Sequence, residues 1–164
     1  GGDCDEADTS INPGEADACD AVDNDCNGSI DDAGTCPCDV VQYNGHAYQL
    51  CTANRTWSDA RAACQADGYD LATINDAAED NFLVAEEANY SGVNAPYFWI
   101  GYTDALVEGS FGWASGSSTY TNWNSGEPNN LFGLEDCTVM NYPTSNHWND
   151  WNCSYTSTYL CETP

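Results

Sequence analysis

Residues 127–137 read Glu-Pro-Asn-Asn-Leu-Phe-Gly-Leu-Glu-Asp-Cys, and residues 148–150 read Trp-Asn-Asp. The candidate ligands in both stretches are carboxylates and amides, whose hard oxygens suit Ca²⁺ and do not suit zinc or copper. The proline favours a tight turn, which a cis Glu127–Pro128 bond would produce. Such a turn would bring the side chains of Glu127 and Asn129 to one point. We therefore predict a calcium site here.

The first of these stretches ends a long segment, residues 115–136, that is rich in Asn, Gly and Ser. Loops of this length in a compact domain are usually functional or disordered. Short apolar runs at residues 97–100 and 138–140 flank the segment and predict strands. Further upstream, apolar residues on both sides of Asn44-Gly45 predict paired strands.

Two helices are predicted between these strand regions. The first runs from about Trp57 to Asp67 and stops at Gly68. The second begins at Asp76-Ala-Ala-Glu79, a capping-box pattern, and continues to about Asn89. The predicted fold class is α+β, with two helices followed by small antiparallel sheets that carry the long loop.

Several motifs in this order resemble the C-type lectin domain, and the resemblance covers about residues 38–162. Trp99-Ile100-Gly101, Glu127-Pro128-Asn129 and Trp148-Asn149-Asp150 are similar to the WIG, EPN and WND motifs of that family. Glu135 follows Glu127 by eight residues and precedes an Asp-Cys pair, as in the mannose-binding members. The resemblance implies the C-type lectin fold. It also implies the disulfides Cys64–Cys161, Cys137–Cys153 and, as in long-form relatives, Cys38–Cys51.

The same resemblance implies a calcium-dependent lectin for mannose-type hexoses, such as mannose, fucose, GlcNAc and glucose. Two vicinal sugar hydroxyls would coordinate the ion, while carboxylates accept their protons in hydrogen bonds and amides donate to their oxygens. The Gln-Pro-Asp triplet that accompanies galactose binding in the family is absent. The implied ligands of both sugar and principal calcium are Glu127, Asn129, Glu135, Asn149 and Asp150. Leu131 and Phe132 either touch the sugar ring or pack within the loop.

An auxiliary calcium is also implied by the resemblance. Its ligands would be Asp104, Glu108, Asn130 and Asp136. Asn130 stands where some relatives have Asp, so we expect a lower affinity at this site and a total of two or more calcium ions.

Residues 1–37 differ in composition from residues 38–164, and we predict a domain boundary between them. This first segment has no aromatic residue and few large aliphatic ones, so cross-links or ions must hold it. From Asp23 onward the acidic spacing follows an EF-hand loop, except that Gly34 stands where the bidentate Glu belongs. The segment resembles an acidic, cysteine-containing metal-binding repeat of bacterial secreted and surface proteins. Its candidate calcium ligands are Asp3, Asp5, Asp8, Asp23, Asp25, Asn27 and Asp31.

A disulfide-bonded acidic linker without a tight metal site is the alternative for this segment. Cys4, Cys19, Cys26 and Cys36 allow three connectivities, among which the sequence does not choose. The segment is also interpreted as one unit of a tether that joins the lectin domain to a larger surface protein.

Composition limits the partners and the compartment. The chain has 27 acidic and two basic residues, a net charge of -25, which repels nucleic acid and anionic lipid. Ten cysteines indicate an oxidising compartment, so the protein is expected to be secreted or displayed at a cell surface. The sequence contains no 18-residue apolar run that would predict membrane insertion.

Two other function classes compete with the lectin interpretation. Paired carboxylates are compatible with glycoside hydrolysis, but carboxylates beside Ca²⁺ stay ionised and provide no general acid, so we expect no enzyme. A lectin-like domain that binds protein, ice or mineral is the stronger competitor. A single shallow sugar site binds weakly, so several copies acting together are expected.

Overall fold

The structure is a computed structural model that describes residues 9–32, 36–90, 97–140 and 146–164, with the backbone alone for residues 89 and 90. Within these ranges lie two helices, α1 (Trp57–Ala66) and α2 (Ala77–Tyr90). The strands are β1 (Asp39–Tyr43), β2 (His46–Arg55), β3 (Asp70–Leu71), β4 (Phe98–Thr103), β5 (Gly112–Trp113), β6 (Cys137–Met140), β7 (Asn149–Trp151) and β8 (Ser157–Glu162). The helices and the strands flanking the long loop lie where the sequence predicts them.

The strands form one mixed sheet in the order β1-β2-β8-β4-β6-β7, with β3 on β8 and β5 on β4. The predicted fold class is confirmed, and the sheet is antiparallel except at one junction, where β4 pairs with β8 in parallel. Parallel neighbours require a long connection. The long loop and strands β5 to β7 provide it here. Strands β6 and β7 pair in antiparallel; Glu135 precedes β6, and Asn149 and Asp150 lie on β7.

Local sequence explains both helix starts. Thr56 caps α1, with its hydroxyl accepting from the Asp59 amide at 3.3 Å. The Asp76 carboxylate accepts from the Glu79 amide at 2.9 Å at the start of α2, as predicted. The Glu79 carboxylate in turn accepts from the amide of Asn75 at 2.7 Å, one residue earlier than the capping box requires. Gly68 follows α1 with a φ of +81°, which suits its predicted role as the helix stop.

Two apolar clusters cover the two faces of the sheet. Successive residues of β4 alternate between them, with Trp99 in one cluster and Phe98 and Ile100 in the other. Helix α1 contributes Ala60 and Cys64 to the first cluster. Helix α2 contributes Leu83 to the second, which also contains Trp148. Trp99 and Trp148 are fully buried, so both tryptophans pack in the core.

The three disulfides implied for the lectin domain are present: Cys64–Cys161, Cys137–Cys153 and Cys38–Cys51. A fourth, Cys19–Cys36, selects among the connectivities that the sequence left open. Cys26 is disulfide-bonded as well, and no described cysteine is free. The Cys64–Cys161 bridge joins α1 to β8 across 97 positions of sequence and thus closes nearly the whole domain.

Residues 9–32 fold without helix or strand and lie against the part of the chain that follows. Ala21 and Ile30 pack against the apolar cluster that contains Trp99. The Asp31 carboxylate accepts from the amide of Ala21 at 3.2 Å and from the hydroxyl of Tyr69. These contacts dock the described part of the segment on the turn between α1 and β3.

Candidate functional site

The candidate principal ligands come from three places that the fold brings together. Glu127 and Asn129 lie on either side of Pro128, and the bond before that proline is cis, as predicted. Glu135 lies just before β6. Asn149 and Asp150 are the first residues of β7 and are buried.

Asp150 holds the turn in place through its carboxylate. One oxygen accepts from the amide of Asn129 at 3.1 Å, and the other accepts from the amide of Asn130 at 2.7 Å. Glu135 acts similarly, because its Oε2 accepts from the amide of Leu131 at 2.9 Å. The backbone amides of residues 129–131 are therefore hydrogen-bonded to two candidate ligands, Asp150 and Glu135.

The carboxylates of this group repel one another. The pKa of Glu127 is raised to about 7, first by burial, then by the hydrogen bond to Asp150 and the negative charge of Asp150, and last by the negative charge of Glu135. Burial and the charge of Asp150 also raise the pKa of Glu135. Three carboxylates this close favour the binding of a cation, since a cation relieves their repulsion.

Two buried oxygens in the group have no hydrogen-bond partner: Glu127 Oε2 and Asn149 Oδ1. The Asn149 amide nitrogen donates to the Asp150 carbonyl at 2.9 Å, which fixes the orientation of that side chain. A buried acceptor left unpaired costs about 1–3 kcal/mol. Because both atoms are hard oxygen ligands, the residues present fit a calcium ion.

The candidate auxiliary ligands also lie together. Asp104 is buried; its Oδ2 accepts from the Gly109 amide at 2.8 Å, whereas its Oδ1 has no partner. Burial, with the charges of Glu108 and Asp136, raises the Asp104 pKa. The Asn130 amide nitrogen donates to Glu108 Oε1 at 2.5 Å. This set also fits a hard cation.

The first apolar residues after the triplet are exposed. Leu131 is 51% exposed and Phe132 is 87% exposed, in a short 3₁₀ turn at Leu131–Gly133. Both side chains are therefore open to solvent to a large extent, and their contact with a sugar ring stays a prediction. Leu134, Leu106 and Val107 are also exposed, so the loops bearing both candidate calcium sites present apolar side chains to solvent.

The amino-terminal candidates divide into three groups. Asp3, Asp5 and Asp8 lie outside the described residues. Asp23, Asp25 and Asn27 form a tight loop, in which the Asn27 amide lies 3.1 Å from Asp23 Oδ1 and 3.0 Å from Asp25 Oδ1. Asp31 instead faces Tyr69, as described above.

A different trio of carboxylates converges in this segment. Oxygens of Asp17, Asp25 and Asp32 lie within 4.8 Å of one another. The EF-hand-like pattern did not include Asp17, which precedes it. It included Asp31, whereas Asp32 is the residue that joins the trio in the folded chain. Ile30 packs against the apolar cluster that contains Trp99, and the next residue, Asp31, bonds to Tyr69, which leaves Asp32 to join the trio.

The fold and this site define a binding domain of the lectin class. The family model "Lectin C-type domain" matches residues 53–163, and the chain belongs to that family, whose members are binding proteins and not enzymes. A second model, "Putative metal-binding motif", matches residues 3–32.

Individual relatives agree with this assignment. Lectin BRA-3 of Megabalanus rosa is 37% identical over 136 residues, which cover 79% of this chain and 80% of the relative. C-type lectin domain family 4 member M of Nomascus concolor is 34% identical over 133 residues, covering 79% of this chain and 31% of the relative. The chain thus spans less than a third of that longer relative.

Solved structures share the fold. The EPNH mutant of CEL-I superposes with a TM-score of 0.70 at 30% identity, covering 79% of this chain and 96% of that one. Herring type II antifreeze protein superposes with a TM-score of 0.67 at 28% identity, covering 79% of this chain and 98% of that one. Neither helix in the described ranges is long and apolar enough to cross a membrane.

Proposed function

We propose that this lectin domain binds mannose-type hexoses (mannose, fucose, GlcNAc or glucose) in a calcium-dependent manner. The observation that carries the proposal is the group of mutually repelling carboxylates, Glu127, Glu135 and Asp150, with unpartnered buried oxygens on Glu127 and Asn149. Bound calcium would supply a Lewis acid that coordinates two vicinal hydroxyls. The residues that would hold it are Glu127, Asn129, Glu135, Asn149 and Asp150.

The side chains divide the recognition of the sugar between them. Glu127 and Glu135 accept hydrogen bonds from the hydroxyl protons, and the amides of Asn129 and Asn149 donate to the hydroxyl oxygens. The Glu-Pro-Asn order supports a preference for mannose-type over galactose-type hydroxyls. Leu131, half exposed and fastened to Glu135 through its amide, is in a position to contact the ring.

Isothermal titration tests this proposal directly. The intact chain is titrated with methyl mannoside and methyl galactoside, each in calcium and in EDTA. We expect binding of mannoside in calcium alone. Glu127→Gln combined with Asn129→Asp should reverse the preference, while Glu15→Gln, which removes an exposed carboxylate outside the site, should leave it unchanged. Absence of sugar binding at saturating calcium would refute the proposal.

Two further calcium sites are proposed. Asp104, Glu108, Asn130 and Asp136 would hold an auxiliary ion, supported by the unpartnered buried oxygen of Asp104. Asp17, Asp25 and Asp32 would hold a structural ion in the amino-terminal segment, supported by their convergence and by the matching metal-binding motif.

Calcium stoichiometry distinguishes the sites. Asp25→Asn should remove one ion from the total without changing sugar affinity, whereas Glu127→Gln should remove an ion together with sugar binding. The same number of ions in Asp25→Asn as in the unmodified chain would refute the amino-terminal site.

We also propose that the domain acts outside the cell on surfaces that display terminal mannose-type glycans. The disulfides support this location, because they persist in oxidising compartments. Several copies would act together, since linked weak sites gain avidity. Surface-plasmon resonance of a tetramerised chain on a mannan surface should show dissociation at least about a hundredfold slower than for the monomer. Equal dissociation rates would refute multivalent use.

Recognition of a protein surface is the second candidate function. The observation that favours it is the set of exposed apolar side chains beside the calcium site, among them Phe132 and Leu134. A chain that binds calcium but no monosaccharide in the titration would support this candidate.

A further inference from the structure

Asp80 is a fully buried carboxylate on α2 whose hydrogen bonds reach the ligand-bearing loops. Its Oδ2 accepts from the hydroxyl of Tyr120 at 2.9 Å and from Nδ2 of Asn122 at 2.7 Å. Its Oδ1 lies 3.4 Å from the indole nitrogen of Trp148. All three donors lie outside the helix: two belong to the long loop and one precedes β7.

These partners are neutral, so Asp80 is buried without a hydrogen-bonded cation. Burial raises its pKa, and the bonds from Tyr120, Asn122 and Trp148 oppose that rise. A buried charge costs free energy unless several donors compensate it. A residue of this kind adds little net stability, but its donors fix the relative position of the segments that carry them.

The anchored segments lead directly to the candidate ligands. The Trp148 amide donates to the Asn122 carbonyl at 2.8 Å, and the Asn124 amide donates to the Trp148 carbonyl at 2.8 Å. The Glu127 amide then donates to the Asn124 carbonyl at 3.0 Å. Trp148 is followed immediately by Asn149 and Asp150. Asp80 therefore joins the helix to both segments that carry principal ligands.

The neighbouring helix position reinforces this attachment. Nδ2 of Asn146 donates to Oδ1 of Asn81 at 2.7 Å. Nδ2 of Asn122 also donates to the carbonyl of Asn146. The first turns of α2 thus hold the long loop and the entry to β7 at adjacent points.

We infer that Asp80 is a positioning residue for the calcium and sugar site, holding the Glu127 turn and the Asn149–Asp150 strand in register. This inference rests on the proposed function and deepens it. Asp80 touches neither calcium nor sugar, and it acts through Asn122 and Trp148. Its effect on ligand binding is therefore separable from its effect on folding.

The chain offers a matched control at the adjacent residue. Glu79 is equally a buried carboxylate of α2, 4% exposed, but it accepts from the Tyr48 hydroxyl at 2.6 Å and from the Asn75 amide at 2.7 Å, away from the ligand loops. Asp80→Asn and Glu79→Gln both neutralise a buried acid, so both should lower the melting temperature.

Calcium and methyl mannoside titrations well below both melting temperatures separate the two variants. We expect Asp80→Asn to weaken both affinities by about tenfold or more, equivalent to ~1.4 kcal/mol, and Glu79→Gln to change them less than about twofold. Tyr120→Phe, which removes one of the three donors, should give an intermediate loss. Equal losses in Asp80→Asn and Glu79→Gln, or none in Asp80→Asn, would overturn the inference.

Amide hydrogen exchange provides a readout that needs no ligand. Asp80→Asn should accelerate exchange at the amides of Asn124, Glu127 and Trp148 relative to amides of α1, and Glu79→Gln should not. If the unmodified chain binds no sugar, that result refutes the proposed function and not the positioning role of Asp80. Unchanged exchange at the three amides in Asp80→Asn would defeat the positioning role by itself.

Discussion

Replacing Gly68 with alanine tests the docking of the amino-terminal segment on the lectin domain. Gly68 has a φ of +81°, and an alanine Cβ there would lie 2.5 Å from the carbonyl oxygen of Asp20. Gly45, in the β1–β2 hairpin, is the matched control, because its φ is +88° and its Cβ would meet nothing within 4 Å. Both substitutions incur the cost of a left-handed residue, about 1–2 kcal/mol. Only Gly68→Ala also displaces the segment.

The additional cost follows from the contacts beside Asp20. Moving this backbone disturbs the Asp20 and Ala21 amides, both 3.2 Å from Asp31, and with them the bond from Tyr69 to the same carboxylate. Hydrogen bonds to charged groups contribute about 1.5–3 kcal/mol. We therefore expect Gly68→Ala to lower the free energy of unfolding by about 1.5–3 kcal/mol more than Gly45→Ala does.

Urea unfolding of the disulfide-intact variants in EDTA, followed by tryptophan fluorescence, measures this difference. A double-mutant cycle with Tyr69→Phe adds a second test: in the Gly68→Ala background the Tyr69 substitution should cost less than it does alone, because the bond to Asp31 is already weakened. Ordinary surface substitutions change the free energy of unfolding by about 0.5 kcal/mol. If the losses in Gly68→Ala and Gly45→Ala agree within that amount, the amino-terminal segment does not pack on Gly68 as described.

Three further outcomes follow from the structure. Replacing Cys64 and Cys161 with alanine opens a loop with a sequence separation of 97 and should lower the unfolding free energy by up to about 4.7 kcal/mol in urea titrations; no loss would contradict the chain-entropy model. Burial raises the pKa of Glu162 to about 7, so its native state retains a proton that the unfolded state releases. The melting temperature in EDTA should therefore fall as the pH rises from about 4.5 to 7, and it should fall less in the Glu162→Gln variant. Asn130→Asp should strengthen calcium binding but lower the melting temperature without calcium, because a second acid would face Glu108; an unchanged melting temperature would contradict the Asn130–Glu108 contact.

The parts of the site that could be predicted from sequence are those encoded within a few residues. The Glu127 turn depends on the proline that follows, the end of α1 depends on Gly68, and the start of α2 depends on Asp76. The triplet and the WND strand carry their ligands in contiguous stretches. Such features follow from local geometry, so a single sequence is enough to predict them.

The parts that sequence reasoning missed depend on contacts between distant segments. The parallel pairing of β4 with β8 joins residues about 60 positions apart. Asp32, and not Asp31, joins the acidic trio, because Asp31 is drawn to Tyr69 on the lectin domain. In the sequence, Asp80 is an ordinary polar residue near a helix start. Its role depends on Tyr120 and Trp148, which only the fold brings into contact with it.

Because acids are in excess, their hydrogen bonds show which carboxylate oxygens are already occupied and which are left for a metal. With 27 acids and two bases, most carboxylates have no ion-pair partner available and depend on backbone amides instead. Asp31 has an amide assigned to each of its two oxygens. Asp150 has both oxygens assigned in the same way, so at the principal site the buried oxygens left without a partner are those of Glu127 and Asn149.

Carboxylates that retain an unpartnered buried oxygen are different. Among the described residues of the lectin sites these are Glu127 and Asp104, one in each candidate calcium site. In the amino-terminal trio, both oxygens of Asp17 already accept from the amides of Asn24 and Asp32, so a metal there has to compete with existing bonds. Each lectin site retains at least one unpartnered buried oxygen and the trio of Asp17, Asp25 and Asp32 retains none, so the amino-terminal ion should be the weakest bound.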